Sequence, residues 1–277
     1  MKLNKWTVGL AAVGAISFPA AIQAEETEMN VVNSMTSGTT ISGYVSTSFR
    51  YDFNTAVNGT DSADPIGSGK ANGFNLDVVN LTLEKPLDES EWAAGYKAEL
   101  LFGSEADIGA VGVSTDNQVG IKQAYVNLRT PVGNGIEWKM GVWDTIIGYE
   151  AYNYPDNPNY TRSLGWAIEP TQHTGLQASY QINDVVSVIG GVAGTSNALL
   201  NDRPSNTGAN STKDQFNLTY MGAVAVTAPE DMGALAGSSL YAGIVYGRVG
   251  FGPAGPASTG GNRTSYYVGA TMATGVE

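Results

Sequence analysis

Cysteine is absent from the 277 residues, and histidine occurs once, at His173. Without cysteine, a small domain stapled by disulfides is excluded. One histidine and no thiolate leave too few ligands for a structural zinc site. A Ser/His/acid hydrolase would have to rest on His173. Its polar neighbours are Thr171, Gln172 and Thr174, and no nucleophile motif accompanies them. Charge is also scarce, at 14% of residues, and basic charge scarcest, with 14 Lys and Arg against 26 Asp and Glu. A chain of net charge −12 lacks the basic patch that phosphate contact needs, so nucleic acid is not expected as a partner. No long apolar run follows the first residues. A helix needs roughly 20 such residues to cross a membrane, so a helical membrane protein is excluded. A β-barrel is not, because its signal per strand is much weaker.

Two further motifs are incomplete. The acidic cluster Asp61–Asp64 lacks the spacing of a calcium loop. The Gly-rich run 250–261 lacks the lysine of a phosphate loop. No cofactor, metal or catalytic residue is expected, and the chain does not read as an enzyme.

The N-terminus has the pattern of an export address. Lys2 and Lys5 precede a short apolar run, Val8 to Phe18, and small residues lead to Ala24. Residues 1–24 are therefore expected to be a cleaved signal peptide. Residues 25–39 form a short polar lead-in, and 40–277 form one domain.

That domain alternates with period two. Ile41, Val45 and Phe49 share a face against Ser42, Tyr44, Ser46 and Arg50. The pattern recurs over segments starting near residues 75, 94, 119, 136, 176, 186, 216, 240 and 266. Period-two alternation marks strands with one apolar and one polar face. The phase slips at Val78–Val79, which predicts a bulge. Lys122 falls on the apolar side of its strand, where its ammonium is expected to reach the interface. About ten strands are visible, and the connections alternate long and short. Short turns at one end and long loops at the other are the pattern of an outer-membrane barrel. In lipid such a sheet must close, since a free edge would leave backbone groups unpaired. The fold expected is thus all-β: an antiparallel transmembrane β-barrel of porin type. The last strand ends on Thr-Gly-Val-Glu rather than on an aromatic residue, so the barrel is expected to be truncated at the C-terminus.

The densest stretch is 118–175. It contains QAYVNL at 123–128, then WKMGVWDTIIGYE at 138–150, PDNPNYTRS at 155–163 and EPTQHTG at 169–175. These runs resemble the OmpL-like β-barrel porins of Gram-negative bacteria. The resemblance implies a barrel in the outer membrane that passes small solutes by diffusion. In general porins the third long loop commonly folds into the lumen, and here that loop follows Trp143. It offers Tyr149, Glu150, Asp156, Arg162 and Glu169 as constriction candidates. On the strands, Arg50, Asp52, Lys97, Glu99, Arg129, Glu137 and Lys139 share the polar face and are the pore-lining candidates. A charge on the lipid face would cost about 2–4 kcal/mol at mid-depth, which argues for the lumen. Lys97–Glu99 and Glu137–Lys139 are expected to neutralise each other.

The function expected is a water-filled channel for small hydrophilic solutes or ions, surrounded by outer-membrane lipid and able to form homo-oligomers. A plugged barrel with an adhesive or structural role is the alternative, and an outer-membrane hydrolase a weaker one.

Overall fold

The computed structural model describes residues 38–51, 72–109, 119–194, 218–248 and 262–273. The signal segment, most of the lead-in and Asp52 lie outside the described residues. Ten strands form one antiparallel sheet in sequence order. They are β1 (Thr40–Arg50), β2 (Gly73–Lys85), β3 (Ala94–Phe102), β4 (Val119–Thr130), β5 (Ile136–Asp144), β6 (Gln172–Gln181), β7 (Val186–Ala193), β8 (Thr219–Thr227), β9 (Ser239–Arg248) and β10 (Asn262–Thr271). Among the described residues two short α-helices interrupt the connections, α1 (Ser104–Gly109) and α2 (Leu164–Ile168). Because neighbours in the sheet are neighbours in sequence, the chain leaves β3 at Phe102 and β5 at Asp144 at one end. The turns 86–93, 131–135, 182–185 and 228–238 lie at the other. No helix among the described residues is long and apolar enough to cross a membrane.

Alternation becomes two unlike faces. One face is bare and carries Ile41, Val45, Phe49, Phe74, Leu76, Val126, Leu128, Met140, Ile244, Tyr266 and Val268, all exposed. Phe74 keeps 91% of its surface and Tyr266 81%. A water-soluble sheet would bury such residues. The other face holds the buried polar and charged side chains.

Two bulges set the register. On β2, Ser46 pairs with Val78 and Thr47 with Leu76, so Asp77 is the extra residue. It turns inward with Val78, and Ser46 and Ser48 donate to its carboxylate at 3.1 and 2.8 Å. This is the bulge that the slip at Val78–Val79 signalled. On β4, Glu99 pairs with Gln123 and Leu100 with Ile121, so Lys122 is the extra residue. A bulge sends two successive side chains to one side. Lys122 therefore turns inward beside Gln123 and does not reach toward the interface. Gly141, opposite Tyr125, lies beside this distortion with φ +137°. A Cβ there would press on the Ala124 carbonyl and lie 2.7 Å from Tyr125 Cα.

The sheet curls around the connection 145–171. The Tyr241 hydroxyl of β9 donates to the Ile146 carbonyl, while Tyr154 N donates to the Tyr44 hydroxyl of β1 at 3.4 Å. In a flat sheet, eight strand spacings would put β1 and β9 about 38 Å apart. The seven residues between those two atoms, Ile147 to Asn153, reach about 25 Å at full extension. One segment can touch both strands only if the sheet is a trough. Among the described residues no pairing joins β10 to β1. Over the described residues the sheet is curved but open, where a closed ring was expected: β1 and β10 each pair on one side only.

Candidate functional site

The connection after β5 lies on the covered face and meets it in three places. The first is a polar node centred on Glu99 of β3, 1% exposed. Its carboxylate accepts from Asn80 Nδ2 and Gln123 Nε2, both at 2.8 Å, and from Asn153 Nδ2 of the connection at 3.0 Å. Lys122 Nζ lies 3.3 Å from Glu99 and 2.8 Å from Asp144 Oδ2. Lys97 stands farther off, 3.9 Å from both Glu99 and Glu84. A chain of alternating charges thus runs Glu84, Lys97, Glu99, Lys122, Asp144 over four strands. A buried carboxylate is tolerated only with this number of donors and cations.

The second contact joins the connection to α1. Arg162 Nη1 lies 3.3 Å from Glu105 Oε2, with both side chains buried. The guanidinium also donates to the Tyr152 carbonyl, and it lies 5.0, 4.9 and 4.7 Å from the rings of Tyr152, Tyr154 and Trp166. The Tyr154 and Tyr152 hydroxyls donate to the Glu105 carboxylate and carbonyl, each at 2.6 Å. Burial pushes the Tyr152 phenol well above its ordinary pKa, and the Glu105 charge adds to the effect. Tyr160 stacks on Tyr154 at 4.8 Å and donates to Asp77 at 2.7 Å.

The third contact is apolar. Ile146 and Ile147 join Trp143, Ala193, Met221 and Val245 in a buried cluster, with Tyr125 and Tyr267 at its margin. Gly243 makes the seat: a Cβ there would lie 2.9 Å from Ile147 Cγ2. The connection is therefore a strap. Apolar contacts hold it on the β7–β9 side, and polar and ionic contacts hold it on the β1–β3 side.

The candidates from the sequence distribute unevenly. Lys97, Glu99, Arg129, Glu137 and Lys139 share the covered face. Arg50 is the last residue of β1, and Asp52 lies outside the described residues. The expected Glu137–Lys139 pair does not form. Glu137 meets Arg129 Nη2 at 2.7 Å, because those residues face each other across β4 and β5. Directly opposed side chains are closer than residues two apart on one strand. Lys139 lies over the Tyr125 ring at 4.6 Å. Lys97 and Glu99 do pair, at 3.9 Å, but Lys122 is the nearer cation.

On the strap, Arg162 is buried in the α1 contact, and Asp156 closes the 3₁₀ turn Tyr154–Asp156. Glu150 accepts from Ser163 N at 2.9 Å and from its hydroxyl, beside the N-terminus of α2. Burial, and secondly the Glu150 charge, hold the Glu169 carboxyl above the ordinary carboxylate range. Tyr149 is 73% exposed. His173 is the second residue of β6, where the strap passes into the strand, and it stands opposite Trp143. It is fully buried, with Nε2 3.0 Å from the Thr145 hydroxyl.

Sequence reasoning passed over Lys122, Asp144, Asn80, Gln123, Asn153, Asp77 and Glu105. Lys122 did leave a signal, a charge out of phase in an otherwise clean alternation. The amides left none, because a neutral side chain on a polar face carries no mark of its partner.

An antiparallel sheet with a bare apolar face, and with its ionisable groups gathered under a strap on the other, is the build of a membrane β-barrel wall of porin type. The chain belongs to the family described as "Putative beta-barrel porin-2, OmpL-like", which matches residues 38–237. That span holds β1 to β8 and the whole strap. No curated protein and no solved structure matches the chain.

Proposed function

We propose that the protein is an outer-membrane porin that lets small hydrophilic solutes or ions diffuse through a water-filled lumen. The observation that carries this reading is the partition between the two faces. Exposed Ile, Val, Leu, Phe and Met on the bare face suit lipid. The charge chain, Arg129–Glu137 and Lys139 on the other face suit water. The signal pattern at 1–24 supports export to that membrane. The strap then crosses the lumen and narrows it, with fixed charges on the wall at β3 to β5 and further carboxylates, Glu150 and Glu169, on the strap itself. Fixed charges of both signs around a constriction sort solutes by charge.

The test is conductance across a planar bilayer. Purified protein is expected to give discrete steps whose size grows with salt concentration, and a reversal potential in a salt gradient gives the preferred sign. The packing of the strap at both ends favours one rival, a plugged barrel of adhesive or structural role. That rival requires folded protein in the bilayer with no steps at all.

A further inference from the structure

We propose that Asn153 is the pin that fixes how far the strap stands from the wall, and so fixes the aperture left for solutes. The inference rests on the porin reading for its consequence, but not for its geometry.

One side chain here touches three adjacent strands. Asn153 Nδ2 donates to Glu99 of β3 at 3.0 Å. Its Oδ1 accepts from the Tyr44 hydroxyl of β1 at 3.4 Å and from Asn80 Nδ2 of β2 at 3.5 Å. The strap backbone at this point is itself braced. Asn157 Nδ2 donates to the carbonyls of Ala151 and Asn153 at 2.7 and 2.9 Å, and its Oδ1 accepts from Ala151 N at 2.8 Å. The pin is therefore a rigid corner and not a free side chain. On the far side the strap is held by Ile146 and Ile147, which have no charge to gain or lose. What lies beyond the pin, Tyr154, Tyr160 and Arg162, reaches its partners Glu105 and Asp77 only while the corner stays seated.

The contact has a polarity that can be reversed. At present the wall supplies the carboxylate and the strap supplies the amide. Asn153→Asp puts a second carboxylate about where the amide donor stood, facing Glu99, and like charges at that separation repel strongly in a low-dielectric site. The double variant Glu99→Gln with Asn153→Asp moves the carboxylate from wall to strap. It restores an amide–carboxylate contact, keeps the net charge and leaves Asp144 beside Lys122.

Two readouts test this. The first is the single-channel step in a planar bilayer. The second is trypsin cleavage after Arg162, which is buried when the strap is seated. Wild type is expected to resist cleavage there. Asn153→Asp is expected to shift the step upward and to be cut after Arg162, Asn153→Ala to do both more weakly, and the double variant to return both toward wild type. The proposal is overturned if Asn153→Asp leaves step and cleavage at wild-type values. It is equally overturned if the double variant is no nearer wild type than Asn153→Asp. Should the wild type give no steps, the porin reading fails, and the cleavage pattern still decides whether Asn153 seats the strap.

Discussion

Replacing Lys122 with Met removes the cation from the most buried part of the charge chain. Lys122 is 2% exposed, and its ammonium serves two carboxylates, Glu99 at 3.3 Å and Asp144 at 2.8 Å. With an effective dielectric near 20, those separations correspond to attractions of about 5 and 6 kcal/mol before the cost of desolvation. Asp144 Oδ1 is buried as well, so both carboxylates lose a close cation. Removing one partner of a buried pair costs about 3–5 kcal/mol, mostly because the other charge stays buried. Glu99 keeps three amide donors and a distant Lys97, which places the expected loss near the lower bound, about 3 kcal/mol. Adding Glu99→Gln removes one of the two stranded charges, so the double variant should be clearly more stable than Lys122→Met alone. The assay is urea unfolding of protein folded into lipid vesicles, followed by tryptophan fluorescence. A loss below about 1 kcal/mol for Lys122→Met, the range of an exposed pair, would refute the reasoning, as would a double variant whose loss equals the sum of the singles.

Other perturbations follow from the same geometry. Arg129→Ala breaks the ion pair with Glu137, whose side chains are 30% and 35% exposed; it should cost at most about 1 kcal/mol in the same unfolding assay. Ile244→Lys sets a charge at the middle of β9 on the bare face and should cost about 2–4 kcal/mol in vesicles, where a water-facing position would lose almost nothing. Glu169→Gln should change the pH dependence of stability. A carboxyl whose folded pKa is raised binds more protons in the folded state than in the unfolded one, so wild type loses stability as pH rises from the ordinary carboxylate pKa through the raised value. The Gln variant should lack that loss and be the more stable of the two at neutral pH. Unfolding midpoints from pH 4 to 8 check this.

The strands, their order and their two faces were legible in the sequence, because period-two alternation is local and survives without knowledge of partners. The bulge on β2 was legible for the same reason, as a visible slip beside Val79. The bulge on β4 was not. Its one mark in the sequence is the out-of-phase charge of Lys122, which alone reads as an outward lysine when the bulge turns it inward. The site was less legible than the fold. Glu99 could be assigned to the polar face, but nothing local indicates that its partners come from β2, β4 and the strap. Arg162 and Glu105 meet across 57 residues of sequence, a pairing fixed by the curvature of the sheet. Opposition across strands also decided that Glu137 pairs with Arg129 and not with Lys139. Spacing along one strand could not reveal that.

The assignment of the two faces is tested most directly by nitroxide labels on single cysteines, for which a chain with no cysteine gives a clean background. Labels placed in turn at Val126, Asn127 and Leu128 of β4, and at Leu176, Gln177 and Ala178 of β6, would be measured in vesicles against oxygen, which concentrates in lipid, and a water-soluble nickel chelate. Oxygen accessibility is expected to peak at 126, 128, 176 and 178, and to fall at 127 and 177. Uniform accessibility along both strands, or chelate access at the apolar positions, would contradict a bare face set in lipid.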